Sequence, residues 1–302
     1  MNNKIKTSTS RKLFQVLNYT FLISFTLICI YPFWYIIIYS FSDASQLASG
    51  GPLFLSKGFT LGNYRDIFKL SGFFNALTIS LLRTVIGTFL SVLVCSFLGY
   101  LFTKQEIPGR KFLYRMLILT MYVSGGMIAT FIVIKSYGLL NNFWVYILPG
   151  LISAYNVVLI KTFIEQLPAS LEESAMLDGA GPLTIFFKII LPLSKPIVAT
   201  VAVFVAVGQW NSWFDNLIYT RGDPNLTTLQ YLLYNYLNEA QRIAEQIKNA
   251  SATTDVGEIM NTVSSKGIRM TITVLAALPI FIVYPFMQKY FVKGISIGAV
   301  KG

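Results

Sequence analysis

Aromatic and hydrogen-bonding side chains are concentrated in one short segment near the end of an apolar stretch: Trp210, Asn211, Trp213, Asp215 and Asn216. Aromatic rings stack on the apolar faces of sugars, and asparagine and aspartate bind hydroxyl groups, so this composition fits a path for sugars. On a continuous helix Asn211 and Asp215 share one face, and Trp210 and Trp213 form a neighbouring face. An interfacial belt of aromatic residues explains the tryptophans equally well, and both interpretations remain open.

A second candidate site is a short acidic helix that follows Pro168. Ser170 and Glu173 have the spacing of a capping box, which predicts that the helix begins at Ser170. The acidic residues of the first turn are favoured by the helix dipole, and Gly179 can adopt the left-handed conformation that ends a helix. The pattern predicts a rigid helix of about 9 residues that binds a soluble partner. Its candidate contact residues are Glu172, Glu173, Ala175, Asp178 and Gly179.

The residue types argue against an enzyme. The chain has no histidine, which removes the commonest general base and metal ligand. Its two cysteines, Cys29 and Cys95, lie in apolar segments and lack the spacing of a zinc site. The sequence contains no phosphate-binding loop of the GxxxxGK[ST] type, so any ATP hydrolysis must belong to a partner. We therefore predict no catalytic residues, no metal and no cofactor.

The composition predicts an integral membrane protein. Of the 302 residues, 54% are hydrophobic and 12% are charged, and a soluble domain this apolar could not cover its own surface. We predict an all-α fold with six transmembrane helices and a short cytoplasmic helix between the fourth and fifth spans. Stretches long enough to cross a bilayer occur near residues 17–41, 78–102, 112–134, 143–163, 196–218 and 270–288.

The distribution of basic residues predicts the orientation. With the N-terminus inside, the inner segments hold 14 lysines and arginines and the outer segments hold 9. This places both termini in the cytoplasm. The predicted organisation is a cytoplasmic segment 1–16, a membrane domain 17–288 with a cytoplasmic loop 168–195 and a long extracellular loop 219–269, and a cytoplasmic tail 289–302.

Three further features of the loops and spans are predicted. Arg83, at the edge of the second span, is expected to extend to the outer headgroups; the alternative is a charge that lines a pathway. Pro182 begins a short amphipathic helix that Pro192 ends, which forms an elbow before the fifth span. In the long outer loop, apolar residues at helical spacing predict an amphipathic helix over 229–247, either packed on the bundle or presented to a binding protein.

The acidic helix resembles a known motif. Glu173, Ala175 and Gly179, followed by Ile189-x-Leu191-Pro192, are similar to the "EAA" loop of the permease subunits of ABC importers. Ser174 departs from the alanine that is usual in that family. The resemblance implies that this loop is the coupling helix that docks into the ATP-hydrolysing subunit.

Further stretches resemble the carbohydrate-uptake branch, like the second permease of maltose-type importers, and in particular the branch that takes up oligosaccharides from complex polysaccharides. They are Thr60–Tyr64, Ser124–Ile128, Gly138–Leu140, Gln209–Phe214, Gln288–Gly294 and Gly298–Gly302. One departure is Ala129, where a proline is common. The resemblance implies alternating access, a second homologous permease, an ATPase dimer, an extracellular solute-binding protein and an oligosaccharide substrate.

Three alternatives remain beside this interpretation. An importer of the same class could carry an amino acid or a peptide. An ion-coupled secondary transporter would need buried acids in its spans, which are nearly free of aspartate and glutamate. An intramembrane enzyme would need a catalytic group of residues at mid-membrane, and the sequence offers none.

Overall fold

The computed structural model describes residues 9–43, 46, 54–249 and 266–285. Regular structure within these residues is helical, apart from an isolated β-bridge between Ser42 and Phe59. Short 3-10 helices and a π-helix join the α-helices. The α-helices are α1 Thr9–Ser40, α2 Gly62–Lys69, α3 Phe73–Leu101, α4 Arg110–Leu119, α5 Gly126–Ser136, α6 Ala154–Ile164, α7 Ala169–Leu177, α8 Pro182–Ile185, α9 Leu191–Leu193, α10 Lys195–Asn211, α11 Phe214–Tyr219, α12 Leu229–Asn249 and α13 Lys266–Pro285.

The helices confirm the apolar, all-helical class but not every predicted span. Ser10–Ser40, Phe73–Leu101 and Lys266–Pro285 are each long and apolar enough to cross a membrane. Two bent pairs add a fourth and a fifth candidate if each counts as one span: Phe143–Gly150 with Ala154–Ile164, bent by 49°, and Pro182–Leu193 with Lys195–Asn211, bent by 82°.

The predicted third span, 112–134, is divided between α4 and α5, and each half is too short to cross a membrane alone. Residues 120–125 separate the two halves, and Gly126, the first residue of α5, has φ +77°, a left-handed conformation that does not continue an α-helix from the preceding residues. The six-span count therefore stays a prediction.

The chain forms two compact units. The first holds the described residues up to 69 and those of 236–275. In it, α2 closes the C-terminal end of α1, because Asn63 Nδ2 donates to the carbonyl oxygens of Ser40 and Ser42 at 3.0 and 3.1 Å. The hydroxyls of Ser40 and Tyr64 are also hydrogen-bonded at 2.9 Å.

The second unit holds residues 70–235 and the described residues from 276 onward. Its centre is α3, which packs against α6 and α10. Two glycines of α3 allow this close approach, as small residues do between membrane helices. A Cβ at Gly99 would lie 3.1 Å from Ile160 Cγ2, and a Cβ at Gly87 would lie 3.0 Å from the Gln209 side chain.

The predicted elbow is present, with one difference. The segment Pro182–Leu193 is helical and turns by 82° into α10. Pro192 lies in the last turn of this segment and does not end it; the turn ends at Ser194. A five-residue π-helix, Phe186–Ile190, precedes the proline.

The predicted helix of the outer loop is also present as α12. Residues 251–265 and the tail 289–302 lie outside the described residues.

Candidate functional site

The acidic helix α7 exists, but it begins earlier than predicted. The residue before its first turn is Pro168, with φ −59° and ψ 125°, and no side chain caps this end. The Leu171 amide already donates to the Pro168 carbonyl at 3.2 Å, so Ser170 lies inside the first turn. The predicted capping box of Ser170 and Glu173 is therefore wrong, because Pro168 starts the helix two residues before Ser170.

The C-terminal end of α7 is formed as predicted. Gly179 has φ +79°. The Ala180 amide donates to the Ala175 carbonyl at 2.9 Å, and the Gly179 amide donates to the Met176 carbonyl at 3.0 Å. These two bonds are the Schellman motif, which a left-handed glycine allows. The helix therefore has a fixed end.

The two glutamates of α7 have different surroundings. Glu172 is held inside the chain, where its carboxylate pairs with Lys104 Nζ and accepts a 2.7 Å hydrogen bond from the Tyr100 hydroxyl. Lys104 also lies 4.4 Å from the centre of the Tyr100 ring. We call Tyr100, Lys104 and Glu172 the Glu172 cluster. Glu173 is exposed.

The exposed face of α7 combines acidic and apolar side chains. Ala175 is buried in the core, whereas Glu173, Asp178 and Gly179 are exposed. Leu177 is 89% exposed, which is unusual for a leucine at the fixed end of a helix. The exposed face of α7 thus presents one leucine beside two carboxylates.

A polar cavity of about 310 Å³ lies in the second unit. Among the described residues that line it, Arg83 and Asp215 carry the charges. The lining comes from α3, α5, α6, α10, α11 and the 3-10 segments: Arg83, Ser91, Thr130, Ile134, Val145, Tyr146, Pro149, Gly150, Asn156, Val205, Gly208, Gln209, Ser212, Asp215 and Tyr219.

Arg83 forms a dense group of hydrogen bonds at this cavity. Its Nη2 pairs with Asp215 Oδ2 at 2.5 Å, and its Nη1 donates to Asp215 Oδ1 at 3.2 Å. Nε and Nη2 donate to Gln209 Oε1, and Nη1 donates to the Ser212 carbonyl oxygen at 3.2 Å. The guanidinium also lies 4.4 Å from the centre of the Tyr146 ring. We call Arg83, Gln209 and Asp215 the Arg83 cluster.

Arg83 therefore does not extend to the headgroups, and the prediction that it does is wrong. Its side chain is 2% exposed, and its five N–H donors match the five hydrogen bonds that the structure gives it. A charge this deeply buried needs a partner, and Asp215 supplies it. The sequence alone could not identify that partner, because the two residues are 132 positions apart.

The five residues predicted for the sugar path are separated by the structure. The assumption of one continuous helix is wrong, because α10 ends at Asn211, Ser212 is extended, and α11 begins at Phe214. Of the five residues, Asp215 lines the cavity. Trp210 is buried and donates from Nε1 to the Ala276 carbonyl at 2.7 Å.

The other three have partners elsewhere in the same unit. Trp213 stacks on Tyr234, with ring centres 4.1 Å apart. Asn216 is buried and bonded to Thr220 and Thr228. Asn211 is exposed and accepts from Gln230 Nε2 at 3.3 Å. Sequence reasoning did not identify Gln209, Tyr146 and Asn156 as cavity residues, since single polar residues in apolar helices gave no distinguishing signal.

Comparison with known proteins gives consistent matches. The family model described as "Binding-protein-dependent transport system inner membrane component" matches residues 95–297. The chain is 38% identical to "Polygalacturonan/rhamnogalacturonan transport system permease protein YtcP" of Bacillus subtilis strain 168, covering 96% of this chain and 99% of that protein. It is 40% identical to "Protein LplC" of the same organism, covering 96% of each.

A solved structure is similar over nearly the whole chain. It belongs to a bacterial ABC transporter involved in the import of the acidic polysaccharide alginate. The TM-score is 0.80 at 27% identity, and the match covers 94% of this chain and 99% of that one.

Proposed function

The chain belongs to the family of binding-protein-dependent transport system inner membrane components, and we propose that its cargo is an oligosaccharide released from a polysaccharide. It is a permease subunit of a sugar ABC importer and a multi-pass membrane protein. ATP hydrolysis belongs to a separate ATPase subunit. The observation that carries the proposal is the family match over residues 95–297, which includes α7 and most of the cavity lining.

The substrate class is supported by the relatives and by the cavity. Relatives are described as permeases for polygalacturonan or rhamnogalacturonan and for maltodextrin. The similar solved structure is that of a transporter involved in the import of alginate. In this chain Ser91, Thr130, Asn156 and Tyr219 line the cavity beside apolar residues. Hydroxyl and amide groups of this kind exchange hydrogen bonds with sugar hydroxyls. The cavity is this subunit's part of the translocation path.

Coupling to ATP hydrolysis is assigned to the exposed face of α7. Glu173, Leu177, Asp178 and Gly179 are accessible to a cytoplasmic ATPase, whereas Ala175 is buried and Glu172 is held by Lys104 and Tyr100. With the N- and C-termini in the cytoplasm, α7 lies on the side where ATP is available. A displacement of α7 reorients the helices around the cavity and gives alternating access.

The remaining partners follow from the family. A second, homologous permease completes the path, two ATPase subunits bind the cytoplasmic face, and an extracellular binding protein delivers the oligosaccharide. The segment from Tyr219 to the end of α12 is on the outer side in this orientation, and it is the region of the chain assigned to contact the binding protein.

Uptake measurements test this proposal. A strain that lacks the gene is complemented with the wild-type chain or with Gly179→Val, and uptake of labelled oligogalacturonides, maltodextrins and peptides is followed. We expect the wild type to restore uptake of an oligosaccharide and Gly179→Val not to restore it. Loss of peptide or amino-acid uptake in the deletion strain, with every oligosaccharide unaffected, would contradict the proposed substrate.

A further inference from the structure

Helix α3 contributes one residue to each of the two charged clusters described above, Arg83 to one and Tyr100 to the other. It runs without interruption from Phe73 to Leu101. Arg83 is 2% exposed and Tyr100 is 1% exposed, so both are fixed within the second unit. Tyr100 lies 17 positions after Arg83, which corresponds to about 26 Å along the axis of an α-helix. One continuous helix therefore connects the cavity wall to the region of α7.

The end of α3 near α7 is held by several contacts. Glu172 of α7 pairs with Lys104, just after α3, and accepts from Tyr100 in its last turn. The elbow contacts the same turn, because the Phe186 ring lies 5.2 Å from the Phe97 ring and 5.4 Å from the Tyr100 ring. The side chains of Lys104 and Glu172 are 16% and 20% exposed, so this pair is screened by water less than a surface pair is.

The other end of the connection lies at the break between α10 and α11 in the cavity wall. Arg83 binds Gln209 on α10, the Ser212 carbonyl in the break between the helices, and Asp215 on α11. A shift of α3 along its axis must therefore move the junction between α10 and α11. The junction has few helical hydrogen bonds of its own to resist this movement, because Ser212 is extended.

We propose that α3 transmits the displacement of α7 to the cavity, and that Glu172, Lys104 and Tyr100 are the positioning residues that fasten α7 to it. This rests on the proposed coupling role of α7. The elbow, which is continuous with α7 in sequence and turns into α10, is a separate connection from the one through α3. The side chains of the Glu172 cluster do not contact the substrate; they determine how much of the movement of α7 reaches the Arg83 cluster.

The test uses the complete importer in proteoliposomes with its binding protein and measures substrate molecules transported per ATP hydrolysed. Glu172→Gln and Lys104→Gln each remove one charge of the pair. We expect the ratio to fall about fivefold or more, the size of a typical coupling free energy between two sites. The double variant Lys104→Glu with Glu172→Lys restores an ion pair in reversed order, and it is expected to recover part of the ratio.

Glu165→Gln is the matched control. It breaks the Lys161–Glu165 ion pair, which has a 2.6 Å separation but joins Lys161 of α6 only to the residue that follows the same helix. We expect Glu165→Gln to transport as many substrate molecules per ATP hydrolysed as the wild type does. A wild-type ratio in Glu172→Gln and Lys104→Gln would overturn the proposal, and so would a reversed pair that performs no better than the single variants.

The result for Gly179→Val separates this proposal from the proposed function. If Gly179→Val transports normally, the coupling role proposed for α7 fails and the transmission through α3 fails with it, whereas the proposed oligosaccharide cargo is unaffected. If it abolishes transport while Glu172→Gln retains the wild-type ratio, only the transmission through α3 is refuted.

Discussion

At the scale of single residues, Arg83 shows why an arginine can lie buried in an apolar helix. Its planar guanidinium presents five donors, and Asp215, Gln209 and the Ser212 carbonyl accept from all of them. The charge is cancelled by Asp215, so the pair contributes no net charge to the cavity. If the cavity is the proposed translocation path, its wall offers hydrogen bonds without a strong preference for one sign of charge on the substrate.

Asp215→Asn tests this account of Arg83. The substitution keeps the size of the side chain but leaves the buried guanidinium without its counter-charge. Breaking a buried ion pair by removing one partner costs about 3–5 kcal/mol, and we expect the lower part of this range because Asp215 is 20% exposed. The melting temperature of the detergent-solubilised permease should fall. Asn211→Ala, an exposed polar residue nearby, is the control and should leave it unchanged. Equal melting temperatures for both variants would show that the ion pair is dispensable.

Gly179 and Gly181 form a natural pair for testing the end of α7. At each position a Cβ would meet nothing within 4 Å, so added volume is not the difference between them. Gly179 has φ +79°, however, whereas Gly181 has φ −74°. Gly179→Val should therefore cost at least about 1–2 kcal/mol in backbone strain and distort the end of the helix, while Gly181→Val should not.

Transport by the two glycine variants is the measurement, with insertion of each variant checked in isolated membranes. We expect loss of uptake for Gly179→Val and wild-type uptake for Gly181→Val. The idea that backbone conformation fixes the end of α7 is wrong if the two variants transport equally.

At the scale of elements, the sequence correctly predicted those helix ends and helices that depend on neighbouring residues in the chain. The left-handed glycine ended α7, the proline at residue 182 began the elbow, and the apolar spacing in residues 229–247 gave α12. The start of α7 was placed at Ser170 because its spacing to Glu173 matched a capping box. The helix begins instead after Pro168, whose restricted φ is compatible with that position.

The cavity could not be predicted, because it depends on contacts that are distant in sequence. Neither glycine nor proline marks the break after Asn211, so the pattern indicated a continuous helix. The Ser212 carbonyl accepts from Arg83 of α3, which compensates for the interrupted helix at this point. Placing Asp215 at the cavity required knowing that α3 packs against α10.

The packing of the elbow on α3 gives a prediction at this scale. Phe186 is 1% exposed and contacts Phe97 and Tyr100, whereas its neighbour Phe187 is 50% exposed. Phe186→Ala removes a buried ring and should cost about 3–5 kcal/mol, with a lower melting temperature and weaker uptake. Phe187→Ala changes the same residue type one position along and is expected to retain the melting temperature of the wild type. Comparable losses in both variants would contradict the packing described for the elbow.

At the scale of the whole molecule, charge and hydrophobicity act together. The chain holds 24 lysines and arginines against 13 aspartates and glutamates. The basic residues are concentrated in the segments predicted to face the cytoplasm, where they favour one orientation during insertion. The exposed carboxylates of α7 then face the cytoplasm as well. The orientation of the whole chain is thus the condition under which α7 can bind an ATPase.

Cysteine labelling tests this orientation. In a background with Cys29→Ser and Cys95→Ala, single cysteines are introduced as Ser174→Cys on α7 and Arg221→Cys after α11, two positions that are both exposed. A membrane-impermeant maleimide added to intact cells should label Arg221→Cys and leave Ser174→Cys unlabelled. Permeabilised cells should label both, which serves as the control for accessibility. Because the segment between these residues includes the elbow and α10, opposite sides require one crossing between them. Labelling of both cysteines in intact cells would show that α7 is not in the cytoplasm. It would thereby contradict the coupling role proposed for the exposed face of α7.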